Sequence, residues 1–145
     1  MRIELLVVVV VVVVMGNMVL EVNSRWIPQP FKKYHVKVVN QLGNNRPLKV
    51  QCKFGDEDKG LHNLAGGQAY EFGFHIKFFG TTVCTCEFWD DKQQHSAFTT
   101  FDSNERFAIS QCGGNWCIWE PRDDGFYLLN TETDKFVWKH PWGKK

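Results

Sequence analysis

Leucine and alanine are scarce in this chain, and beyond residue 24 no stretch carries the three-and-four spacing of an amphipathic helix. A helical bundle is thereby excluded. Charge of one sign is missing too: 17 basic side chains stand against 16 acidic ones, a formal net charge of +1. That balance implies neither nucleic acid nor an anionic membrane surface as a partner. The histidines (His35, His62, His75, His95 and His140) are scattered, with no His-x3-His pair and no glutamate at metalloprotease spacing. No Gly-x-Ser-x-Gly elbow presents a serine nucleophile. Aspartates and glutamates are numerous enough for a glycosidase pair, but nothing in their spacing singles one out. Nothing repeats beyond residue 24, and no low-complexity tract follows it. An enzyme is therefore not expected, nor is a cofactor.

Long apolar runs are also lacking. The run from Leu5 to Met15 is eleven residues, whereas a membrane-crossing helix needs roughly 20. Arg2 lies ahead of it, Glu21 ends the apolar character, and Val22, Asn23 and Ser24 are residues a signal peptidase accepts. Residues 1–24 read as a secretory signal peptide cleaved after Ser24, with a second choice after Gly16. No membrane insertion is expected after cleavage. Residues 25–33, with Pro28 and Pro30, read as an extended N-terminal segment, and the remainder is of single-domain size.

Aromatic residues are abundant: twelve Phe, six Trp and three Tyr, a composition that favours strands. Residues 47–54 alternate without a break, so Leu48, Val50, Cys52 and Phe54 share one face while Lys49, Gln51 and Lys53 share the other. The same period of two appears at 34–39, 68–75 and 82–88, and further strands are expected at 96–101, 116–120, 126–129 and 136–139. Turn chemistry separates them, including Gly43-Asn44-Asn45, Gly66-Gly67 and Asp123-Asp124-Gly125. The first strand and 47–54 are expected to form an antiparallel hairpin, and 107–109 reads as a short apolar piece. The pattern predicts an all-β fold, a small antiparallel β-sandwich of about eight strands.

Five cysteines follow the leader (Cys52, Cys84, Cys86, Cys112 and Cys117). In an oxidising compartment they read as disulfides with one sulfur left over. A zinc site made of Cys84, Cys86, Cys112 and Cys117 lacks the usual knuckle spacing. Strand alternation would also set Cys84 and Cys86 about 7 Å apart. Asp56, Glu57 and Asp58 do not follow the ligand pattern of a calcium loop. No metal is expected.

Residues 38–53 (VVNQLGNNRPLKVQCK) closely resemble the opening of the plant self-incompatibility protein (S-protein) family. Phe78-Phe79-Gly80-Thr81-Thr82 followed by Cys86-Glu87-Phe88 is similar to its central block. Cys117-Ile118-Trp119 with Arg122-Asp123-Asp124-Gly125-Phe126-Tyr127 is similar to its C-terminal block. The match runs from about Tyr34 to Trp142, so residues 34–142 are taken as the domain and 143–145 as a tail. The resemblance implies a secreted plant β-sandwich with two disulfides, from a family that includes stigma-secreted proteins signalling to incompatible pollen. The sequence departs from the family at Cys84, where a large apolar residue is usual. It also has no Asn-x-Ser/Thr sequon.

With that resemblance the expected pairs are Cys52–Cys86 and Cys112–Cys117, with Cys84 as a buried free thiol. Alternation places Cys84 on the same face as Cys86, where it competes for Cys52. The expected function is that of an extracellular, non-enzymatic signalling ligand, a monomer that binds a cell-surface protein receptor through its loops. The candidate loops are Asp56, Glu57, Asp58 and Lys59; Asp90, Asp91, Lys92, Gln93 and Gln94; and Ser103, Asn104 and Glu105. They are charged, turn-forming and expected outside the strands. The alternative is a cell-wall carbohydrate-binding module using exposed tryptophans. Core packing accounts for most of Trp26, Trp89, Trp116, Trp119, Trp138 and Trp142, with Trp119 and Trp138 inside strands and Trp26 and Trp142 near the ends.

Overall fold

A computed structural model describes residues 32–77 and 80–143. The expected leader, its cleavage after Ser24, Trp26 and most of segment 25–33 lie outside the described residues. The described residues form nine strands: β1 (Lys33–Val39), β2 (Leu48–Phe54), β3 (Glu57–Leu64), β4 (Ala69–His75), β5 (Val83–Asp90), β6 (His95–Asp102), β7 (Trp116–Arg122), β8 (Gly125–Asn130) and β9 (Lys135–His140). They form two sheets, one ordered β4-β1-β7-β8-β9 and the other β3-β2-β5-β6. All pairings are antiparallel except β1 with β7.

Alternation becomes burial. Tyr34, Val36 and Val38 of β1, Leu48, Val50 and Cys52 of β2, and Cys84, Cys86 and Phe88 of β5 point into one core. Phe101, Trp119, Phe126 and Leu128 are its largest members from the other strands. Each sheet turns a strongly apolar face inward, and stacking the two faces removes both from water. The polar groups trapped inside are bonded. Trp119 Nε1 donates to Thr100 O at 3.1 Å. Asn40 Nδ2 donates to Arg46 O (2.8 Å) and Leu64 O (3.0 Å), while its Oδ1 accepts from Leu42 N (3.0 Å). Asn40 therefore pins the corner where the chain leaves one sheet for the other, and an apolar residue there would strand three backbone groups.

That corner corrects the expected hairpin. β1 pairs with β4 and β7, while β2 pairs with β3 and β5 in the opposite sheet. Period two shows that each strand has one apolar face. It does not show whether two such strands lie side by side or face each other across the core, and here they face. The count of about eight strands rises to nine because the expected loop at 56–59 is mostly strand. The chain reverses at Gly55 (φ 57) and Asp56, and Glu57 already opens β3. β3 is a sheet edge, where charge in place of apolar alternation discourages pairing with another chain. Residues 104–106 and 108–112 form a 3₁₀ turn and a π-helical turn, so Ala108 and Ile109 belong to the latter rather than to an extended piece.

Candidate functional site

Strand registers sort the candidate loops onto opposite ends of the sandwich. Leu48 is opposite Asp90, so the β5–β6 turn lies at the end that also carries the β1–β2 connection. Phe54 is opposite Cys84 and Val83 opposite Asp102, so Asp56 and Ser103 both lie at the other end. The structure thus brings 56–59 and 103–105 to one end and leaves 90–94 apart from them.

At the first end an arginine organises the turns. Arg46 follows Asn44 and Asn45, both with positive φ (58° and 55°), and its guanidinium reaches three carboxylates. Nη2 donates to Asp90 at 2.8 Å, Nε to Asp91 at 2.9 Å and Nη1 to Asp123 at 2.8 Å. Asp90 and Asp91 belong to the β5–β6 side and Asp123 to the β7–β8 turn, so one side chain ties the two sheets together. The Asp90 side chain is 0 % exposed and also accepts from Lys92 N, Gln94 N and Gln94 Nε2. Asp90 and Gln94 are therefore turned inward as parts of the frame, and in this segment Lys92 and Gln93 project. The hydrogen bond from Arg46 holds Asp91 below the ordinary carboxylate range, and Arg46 is raised in turn.

The second end is bonded differently. Asp58 accepts from Gln51 Nε2 (2.7 Å) and Gly60 N (2.8 Å), and Glu57 pairs with Lys59 at 3.1 Å. Lys59 Nζ also lies 5.8 Å from the ring centre of Phe54 and 5.7 Å from that of Phe72. Asp56, Glu57 and Asp58 are exposed, while Lys59 is half-buried and its contact with Phe72 reaches β4 of the opposite sheet. Ser103 Oγ accepts from Thr82 N at 2.8 Å, and Asn104 N donates to Asp102 at 2.8 Å. Glu105 is in the 3₁₀ turn, its side chain outside the described residues. Beside this turn a cleft of about 420 Å³ opens, with Tyr34, Phe101 and Phe107 among its walls and Lys77, Asn104 and Arg106 along its length.

Two disulfides brace the frame. Cys52–Cys86 joins β2 to β5 within one sheet, and Cys112–Cys117 joins the π-helical turn to β7. Cys84 is free and buried, its sulfur 4.0 Å from that of Cys86. The sulfurs of Cys52, Cys84 and Cys86 lie within 4.8 Å of one another. Two of the three are bonded to each other, so the cluster is a disulfide beside a thiol and not a set of ligands. Burial pushes the Cys84 thiol up to about 11, which keeps it protonated and unreactive at neutral pH.

The sequence model of the family described as plant self-incompatibility protein S1 matches residues 35–142. The chain belongs to that family. It is 33 % identical to S-protein homolog 2 of Arabidopsis thaliana, over 79 % of this chain and 71 % of that one. To self-incompatibility protein S1 of Papaver rhoeas it is 28 % identical, over 75 % and 76 %. Among solved structures it is similar to one described as an SPH (self-incompatibility protein homologue) from a widespread family of small, highly stable, secreted proteins from plants. That likeness has a TM-score of 0.54 at 19 % identity, and covers 78 % of this chain and 96 % of that one.

One surface of this S1-family domain runs against the expectation for its tryptophans. Trp119 is 1 % exposed, but Trp138 is 47 % exposed. Trp138 is opposite Tyr127, whose neighbours Phe126 and Leu128 point inward, so both rings share the outer face. The indole lies against Gly125, where an added Cβ would stand 2.5 Å from Nε1, and Nε1 donates to Asp124 O at 3.0 Å. Arg122 packs on Tyr127 (4.1 Å) and Phe136 (4.9 Å) while bonded to Glu120. Trp142 covers the core beside Phe126 at 4.5 Å, and Trp116 carries His35 stacked at 3.9 Å. Arg46, Asp123, Lys77 and Arg106 were not legible as site residues: each lies in a turn or loop, where no period exists to read.

Proposed function

We propose that this S1-family protein is a secreted, non-enzymatic recognition ligand. It engages a plant cell-surface protein through the end carrying Asp56, Glu57, Asp58, Lys59, Ser103, Asn104 and Glu105. The observation that carries the reading is the asymmetry of the two ends. Arg46 ties the carboxylates of one end across both sheets, whereas Asp56, Glu57 and Asp58 at the other face solvent and no ion pair among the described residues ties them to the opposite sheet. Two disulfides and a sandwich core suit a protein working outside the cell, in keeping with the description of the solved relative as secreted and highly stable.

The test is binding of labelled protein to intact plant protoplasts. Combined reversal at Asp56→Lys, Asp58→Lys and Glu105→Lys is expected to lower surface binding at least ~10-fold, while Lys92→Glu at the opposite end leaves it unchanged. The reverse ranking rejects the assignment.

Trp138 favours a second reading, a cell-wall carbohydrate module. Its indole is 47 % exposed and held by Nε1 donating to Asp124 O, on the outer face it shares with Tyr127, and an exposed, anchored aromatic ring suits stacking on a sugar. Titration with cellohexaose, followed by tryptophan fluorescence, decides it. Saturable binding that Trp138→Ala abolishes supports this reading, and a flat titration removes it.

A further inference from the structure

Three features coincide at the cleft beside the 104–106 turn. Its volume, about 420 Å³, lies within the range of small-molecule sites. Its base is aromatic: Tyr34 and Phe101 are almost wholly buried, with ring centres 5.4 Å apart, and Phe107 meets Phe101 edge-on at 6.2 Å. Its rim carries two exposed cations, Lys77 and Arg106. The described arginines otherwise pair with carboxylates, Arg46 with three and Arg122 with Glu120. Arg106 has no carboxylate partner among the described residues, and neither has Lys77.

Arg106 is unusual in its backbone as well. It sits at φ 54, a left-handed conformation that disfavours side chains with a Cβ and concentrates at binding and catalytic sites. The π-helical turn that follows holds it there, with Ser110 Oγ donating to Arg106 O at 3.1 Å. One carboxylate, Asp102, also lines the cleft, but its Oδ1 accepts from Asn104 N at 2.8 Å and so serves the turn. Among the described lining residues the two cations outnumber Asp102 by one, over an aromatic base. An aromatic ring carrying a carboxylate matches both parts: the ring displaces water from Phe107 and Ile109, and the anion meets guanidinium and ammonium.

We propose that this cleft is a binding site for a small aromatic carboxylate, a site that goes beyond the receptor reading and stands or falls without it. The probe is 2-naphthoate, with 2-naphthalenemethanol as its neutral counterpart, titrated into the ¹⁵N-labelled, disulfide-intact protein and followed by NMR. Naphthoate is expected to move amide signals of residues 76–77 and 101–109 and to bind about tenfold more tightly than the alcohol. Lys77→Gln and Arg106→Gln should each weaken naphthoate roughly 3–10-fold while leaving the alcohol unchanged. Lys139→Gln, a cation outside the cleft, should change neither.

Equal affinity for acid and alcohol would overturn the proposal. So would shifts confined to the Phe136 and Trp138 face, or no binding by ~1 mM. Both rim cations are exposed, so their neutral variants are expected to fold. The dispersion of the unliganded spectrum verifies this, and a Phe107→Ala variant tests the aromatic wall by a second route.

Discussion

Arg46→Met removes the guanidinium that joins the two sheets but keeps most of the aliphatic stem. Of the three carboxylates left behind, Asp90 decides the outcome because its side chain is 0 % exposed, while that of Asp123 is 60 % exposed. Breaking a buried ion pair from one side costs roughly 3–5 kcal/mol. Asp90 keeps three other donors, from Lys92 N, Gln94 N and Gln94 Nε2, so the lower part of that range applies, ~3 kcal/mol. Asp123→Asn removes a solvent-exposed pair and should cost ~0–1 kcal/mol. Pairing Arg46→Met with Asp90→Asn neutralises the stranded carboxylate and should recover part of the loss, since contacting residues are not additive. Equilibrium urea unfolding of the four proteins at pH 7 reads these differences directly. If Arg46→Met were no more destabilising than Asp123→Asn, burial of Asp90 would not be what makes the cluster matter.

The disulfides close chain separations of 34 and 5 residues. Replacing Cys52 and Cys86 by alanine should therefore cost ~4 kcal/mol and replacing Cys112 and Cys117 ~2 kcal/mol; the opposite order in guanidinium unfolding would refute the loop argument. Cys84, held up at about 11, should resist iodoacetamide at pH 8 in the native protein and yield one reactive thiol per chain on denaturation. Trp119→Ala should cost roughly 3–5 kcal/mol, the range for a large core side chain. Trp138→Ala should cost clearly less in the same unfolding assay, because its indole is half in water. Burial lowers the pKa of His35 and His140 from the ordinary 6.5, with neighbouring Lys33 and Lys139 adding to it. The unfolded chain then takes up protons first as the pH falls. The stabilisation is complete above pH 6.5 and declines as the pH drops through the folded-state values. His35→Phe with His140→Phe should flatten thermal stability measured between pH 7 and 5.

The legible parts of the fold are those with a period. Residues 48–54 show which side chains are buried because alternation and burial are the same geometric fact, and Leu48, Val50 and Cys52 are all buried. β3 escaped because Glu57-Asp58-Lys59-Gly60 looks like a loop, yet an edge strand tolerates charge on both faces. The pairing partner of β1 escaped for another reason. Its contacts are with β4 and with β7, and the latter pairing joins His35 to Trp116, a separation no local pattern reports. Trp138 escaped because membership of a strand does not say which face is inward at a sheet edge. Of the candidate loops, charge and turn chemistry marked segments near the ends, but could not show that Asp90 faces inward or that 56–59 and 103–105 share an end.

Composition and alternation alone determined an all-β domain whose alternating strands each carry one apolar face, and the order of its blocks determined the family. Those properties are carried by residues close together in the chain. Tertiary structure decided how the strands divide between two sheets, which charges become a buried tie through Arg46, and which stay exposed beside a cleft. Such outcomes depend on which residues from distant segments arrive within a few ångströms, and on how much water remains between them.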